Sequence, residues 1–124
     1  LDDNLIFLSA TFAGKTKNKK YIEEKMLNFL KKKNKSQPSK IKTCGSTFKN
    51  PKKKKAWQLI KESGCSKMKV GDAQISHKHC NFFINKGNAS SKDLEELIMK
   101  VKKNVLEKSG VALELELQII GKSL

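Results

Sequence analysis

The chain has 124 residues, 37% hydrophobic and 31% charged, which allows one domain with a modest core and excludes a disordered polar segment. The formal net charge is +15, and all 27 basic residues are lysine. No apolar run approaches the ~20 residues needed to cross a bilayer as a helix, and no secretory leader is visible.

In chain order, Leu5 to Phe12 is mostly apolar, with Ile6, Thr11 and two phenylalanines, and reads as a strand. Gly14 and the lysine-asparagine stretch after it form a turn. Tyr21 to Lys33 carries Ile22, Met26, Phe29 and Leu30 on one helical face, and this helix is expected to stop before Pro38. Ser36 to Pro51 has no apolar period and holds both prolines, so it reads as a long loop of the functional kind. A short helix follows, with Ala56, Trp57, Leu59 and Ile60 inside and Gly64 at its C-terminus. Met68–Ser76 and Asn81–Asn85 read as strands, punctuated by Gly71-Asp72 and by Ser76-His77-Lys78-His79. Ser90, with Asp93 three residues on, opens a helix striped by Leu94, Leu97, Ile98, Val101 and Val105, which Gly110 ends. Leu113 to Ile119 alternates strictly, with leucines and Ile119 on one side and Glu114, Glu116 and Gln118 on the other. The expectation is an α+β single domain whose helices pack on one face of a mixed β-sheet.

Two places carry chemistry. Gly45-Ser46 offers a flexible backbone beside a hydroxyl; such a serine is either a turn or cap residue or a proton donor to a strongly basic carbanion. Lys49 could meet an anion there, and Asn50 could hold a polar substrate group. Glu116 is either an ordinary acid on a wet strand face or, if that face is covered, an acid–base or electrostatic group. The pair Ser46 and Glu116 is expected at the rim of a common cavity.

Other signals are weaker. His77, His79 and Cys80 cluster, but strand alternation puts Cys80 on the opposite face and no second ligand pair exists, so no metal is expected. Cys44, Cys65 and Cys80 form no paired motif and fit a reducing cytoplasm. The charge raises the alternative of a non-enzymatic basic domain that binds nucleic acid or other polyanions, but the absence of arginine argues against nucleic acid. Lys52–Lys55 reads either as a solvated run or as an anion-attracting one. The first residue is Leu1 rather than Met, which leads us to expect an upstream part.

Four ordered motifs then coincide: G-S-T-F-K-N-P from Gly45, A-W-Q-L-I from Ala56, G-D-A-Q-I-S-x-K-H-x-N-F-x-I-N-x-G-N-A from Gly71, and E-L-Q-I-I-G from Glu116. Together, over Gln37 to Gly121, they resemble the C-terminal, substrate-binding domain of the UDP-N-acetylenolpyruvoylglucosamine reductase family, the UDP-N-acetylmuramate dehydrogenases of peptidoglycan synthesis. The variant without an extra substrate-capping insertion is the nearer likeness. The resemblance implies a cytoplasmic flavoprotein of cell-wall biogenesis, tied to cell shape and division. In it FAD, reduced by NADPH, passes a hydride to the enolpyruvyl double bond of a UDP-sugar. By motif position Ser46 is the implied proton donor and Glu116 the implied carboxylate that polarises the substrate and stabilises developing charge. Asn50 matches a substrate contact, while Lys78 and His79 fall in a pocket-lining segment. Two departures stand out. Gln118 occupies the place of the family's usual arginine, and the family's FAD-binding domains, with a catalytic arginine, precede the matched segment. The chain alone is therefore expected neither to hold flavin well nor to turn over.

Overall fold

A computed structural model describes residues 6–121. They divide into two compact units, the first ending at Lys32 and the second beginning at Lys33.

In the first unit, residues 6–12 form no strand, and Ile6, Phe7, Leu8 and Phe12 stand exposed. Of the expected strand, Leu5 lies outside the described residues. The β pattern is present, but a strand needs a neighbour to satisfy its backbone. α1 (Lys19–Ser36) begins with the Asn18 side chain accepting from the Lys20 N–H at 2.9 Å and ends ahead of Pro38, as the sequence predicts. None of its residues is buried.

The second unit holds a four-stranded sheet in the order β1-β4-β3-β2, built from β1 (Lys42–Ser46), β2 (Lys69–Val70), β3 (Ala73–Ile75) and β4 (Phe82–Asn85). The sheet is antiparallel at each described pairing, where a mixed sheet was expected. α2 (Ala56–Glu62) and α3 (Ser91–Ser109) share one core with it. That core joins Ala73, Ile75 and Phe83 of the sheet to Leu59 and Ile60 of α2 and to Leu97, Val101 and Val105 of α3. The class is α+β.

α3 follows its sequence signals closely. Ser90 Oγ accepts from the Asp93 N–H at 3.1 Å, Asp93 Oδ2 accepts from the Ser90 N–H at 2.8 Å, and Gly110 closes the helix in the left-handed conformation. Three expectations need correction. The loop of residues 36–51 contains β1, whose K-T-C-G-S sequence has no apolar period; its order comes from pairing with β4 and from Thr43 Oγ1 donating to the Phe83 carbonyl at 2.8 Å. The segment Met68–Ser76 is a tight hairpin turning at Gly71-Asp72. Residues 113–119 keep the alternation of burial as far as Leu117, but their ladder is one bridge, Leu115 opposite Phe48, and Ile119 is half exposed. Trp57, expected inside, sits at the rim of α2 with 38% exposure.

Candidate functional site

The segment after Ser46 is clamped from both sides. On one side the Thr47 N–H donates to the Asn81 carbonyl at 2.8 Å and the Phe48 N–H to Asn81 Oδ1 at 3.0 Å. Asn81 Nδ2 returns a bond to the Phe48 carbonyl at 2.8 Å. On the other side the Lys49 N–H donates to the Glu114 carbonyl and the Glu116 N–H to the Thr47 carbonyl, each at 2.9 Å. Phe48 itself is fully buried and meets Phe83 edge-on at 5.8 Å. A buried asparagine that satisfies a neighbouring backbone N–H and C=O together does the work of a missing strand.

This clamp decides where the predicted residues lie. Glu116 bonds through its backbone to the residue following Ser46, so positions 46 and 116 are neighbours on two paired segments. Gly45 stands at φ +86°, inside the register shift between Thr43 and Ser46, a conformation that other residues reach only with strain. Ser46 is half-buried opposite Phe82, and among the described residues nothing bonds its hydroxyl. Glu116 is exposed, so no described residue covers the carboxylate.

Asn50 and Lys49 sit on the same stretch. Asn50 Oδ1 accepts from the Ala56 N–H at 3.1 Å, fastening the loop to the start of α2. Lys49 Nζ lies 3.6 Å from Glu114 Oε2, and both groups are exposed, so the pair adds little to stability.

Lys78 and His79 form a second station. They line a hollow of about 430 Å³ together with Trp57, Lys61, His77 and Cys80. Residues 77–80 turn rather than extend, which is why Cys80 shares this hollow with both histidines instead of facing away. Lys78 Nζ donates to the Asn34 carbonyl at 2.7 Å. The His79 ring meets Phe82 edge-on at 4.8 Å and tilts against Trp57 at 6.4 Å. Burial pushes its pKa down, outweighing a backbone hydrogen bond that acts upward. His79 Nδ1 accepts from the Asn81 N–H at 3.3 Å, so its neutral form carries the proton on Nε2.

Asn81, to which the sequence reading assigned no role, is thus the joint between the two stations. Its backbone touches His79 and its side chain holds Phe48. The signal for it was a polar residue directly ahead of the apolar run Phe82–Ile84, with two backbone-hungry turns nearby.

The largest hollow, about 530 Å³, lies against Thr43, Cys44, Thr47, Phe83, Leu117 and Gln118. It adjoins the clamp through Thr47 and Leu117, while Ser46 and Glu116 are not in its wall. Among the described residues no three of His, Cys, Asp or Glu gather in a way that could hold a metal ion.

Comparison with known proteins adds an independent line. Residues 37–120 match the family model described as UDP-N-acetylenolpyruvoylglucosamine reductase, C-terminal domain. A UDP-N-acetylenolpyruvoylglucosamine reductase of Pelagibacter ubique (strain HTCC1062) is 54% identical over 97% of this chain and 41% of its own length. That of Wolbachia pipientis wMel is 46% identical over 98% of this chain and 41% of its own length. The crystal structure of the enzyme from Thermus caldophilus superposes with a TM-score of 0.70 at 38% identity, covering 84% of this chain and 36% of that one. The chain therefore spans about two-fifths of the length of the curated relatives it matches.

Proposed function

The chain belongs to the family of C-terminal domains of UDP-N-acetylenolpyruvoylglucosamine reductase, and from that premise we propose that it is the substrate-binding, proton-donating part of such a reductase. The reaction is the NADPH-dependent, FAD-mediated reduction of UDP-N-acetylglucosamine enolpyruvate to UDP-N-acetylmuramate in the cytoplasm, for peptidoglycan synthesis.

The described residues do not make a flavin site of their own. The N–H groups of residues 47–49, which follow the glycine and could otherwise cradle a diphosphate, all donate to protein carbonyl or amide oxygens. Flavin binding is assigned instead to the part of such a reductase that this chain does not match.

What this chain contributes is proton handling and substrate placement. Reduction of a C=C bond leaves a centre that must gain a proton. The Ser46 hydroxyl has no competing partner among the described residues, and a carbanion or enolate is basic enough to take its proton. Ser46 is half-buried, so solvent can reprotonate the alkoxide. Glu116, held in the adjoining register, polarises the substrate carboxylate and steadies developing charge. Lys78 and His79, which line the neighbouring hollow, and exposed Lys49 face the anionic sugar nucleotide. The Asn50 amide nitrogen contacts the substrate while its oxygen anchors α2.

The observation that carries this reading is the 2.9 Å bond from the Glu116 N–H to the Thr47 carbonyl, which fixes the two chemical residues side by side. The test joins this chain in frame to the part of the Pelagibacter relative outside the match and compares Ser46→Ala with the unmodified fusion. Turnover of the enolpyruvyl substrate should fall by roughly 10²–10⁴-fold. Unchanged turnover overturns the assignment. Polyanion binding rests on net charge alone and predicts steeply salt-dependent affinity for nucleic acid.

A further inference from the structure

The first unit presents an apolar surface that the fold leaves uncovered. Ile6, Phe7, Leu8 and Phe12 are between 76% and 92% exposed, and among the described residues no backbone hydrogen bond reaches residues 6–12. A few residues on, α1 exposes Tyr21, Ile22, Met26, Leu27, Phe29 and Leu30. So many large apolar side chains within 25 residues form far more than the scattered exposure of an ordinary surface. An 18-residue helix that buries nothing lacks the tertiary packing from which helices in proteins draw most of their stability.

From these features we infer that residues 6–12 and the apolar face of α1 dock onto a second protein body, with residues 6–12 adding as a strand to the edge of that body's sheet. The inference rests on the functional reading above and names the partner: the portion of a full-length reductase that lies outside the match. Three observations select this occupant. The relatives' own length leaves 59% of the Pelagibacter protein beyond what this chain covers (100% less the 41% matched), so a body large enough to hold a sheet exists beside this domain in the family. Residues 6–12 alternate: Ile6, Leu8, Ala10 and Phe12 fall on one side, with Ser9 and Thr11 on the other, as in a strand with one buried face. An unpaired strand also needs N–H and C=O partners. A sheet edge supplies them and lipid does not, which disfavours a membrane surface despite the lysines of α1.

The experiment mixes the 124-residue chain with the unmatched part of the Pelagibacter relative and reads complex formation by sedimentation and amide exchange. A one-to-one complex is expected, with exchange at residues 6–12 slowed by at least about 10²-fold, as for amides drawn into a stable sheet. Leu8→Asp and Met26→Asp should each weaken the complex by at least about tenfold, the loss of ~1.4 kcal/mol. Both positions are exposed, so circular dichroism and the melting curve of the chain alone should stay unchanged. Ser46→Ala should bind normally, which separates failure of this inference from failure of the catalytic assignment. Absence of a complex, a complex indifferent to Leu8→Asp, self-association through residues 6–12, or binding to anionic lipid vesicles in place of the protein fragment would each overturn it.

Discussion

α1 and α3 are nearly the same length, 18 and 19 residues, and both carry an apolar stripe at helical spacing, yet they end in opposite circumstances. α3 buries Leu97, Ile98, Val101 and Val105 against the sheet, while α1 buries none of its residues. The stripe alone therefore does not say whether a helix is packed; it says that a partner is needed. For α3 the partner is encoded within the same 124 residues. For α1 the exposed stripe is the physical trace of a larger assembly.

The contrast can be broken or sharpened by substitution. The largest effect is expected at the core of α3, where Leu97→Ala should destabilise the chain by about 2–5 kcal/mol in denaturant unfolding, because it opens a cavity at a fully buried site. A loss below 1 kcal/mol would mean that α3 is packed no better than α1. Next comes the clamp. Asn81→Ala leaves the Phe48 N–H and carbonyl without their side-chain partner, at about 1–3 kcal/mol for each group stranded. It should also disturb Ser46 and His79 together, visible as coupled NMR shifts at both. Ser90→Ala removes the helix cap and should cost about 1 kcal/mol. At the bottom of the scale, Phe29→Ala on α1 should change the stability of the isolated chain by less than about 0.5 kcal/mol.

A pH series addresses the second station. The folded pKa of His79 lies below its unfolded value of about 6.5, so the unfolded chain binds the proton first as pH falls. The contribution is fully present above the unfolded pKa and is lost progressively as pH drops toward the folded one. Melting curves between pH 7 and pH 5 should show a fall that His79→Gln reduces. An identical pH profile in the variant would mean that His79 is not held in the apolar niche formed with Phe82 and Trp57.

Much of the site was legible because its motifs are local. The Ser90-to-Asp93 cap, the Gly110 stop and the left-handed glycine ahead of Ser46 need only a few neighbouring residues to operate. The role of Asn81 was not legible, since its partners lie 33 residues earlier in the chain. The path of β1 was hidden for the same reason: Lys42-Thr43-Cys44-Gly45-Ser46 has no strand periodicity and becomes ordered only by lying beside β4. The last segment misled in the other direction. Its strict alternation is real and sets which side chains turn inward, but Phe48 offers it one bridge rather than a ladder.

The order of residues by itself determined the α+β class, the helix boundaries, the apolar faces and the motifs that mark Ser46 and Glu116. These follow from backbone preferences and from the spacing of apolar side chains, which act over a few residues. Tertiary structure alone decided that the two chemical residues share a register, that one asparagine ties them to His79, and that one amphipathic helix is buried while the other stands bare. Those outcomes depend on which distant groups can satisfy a backbone N–H or cover an apolar face, and no short stretch of sequence carries that information.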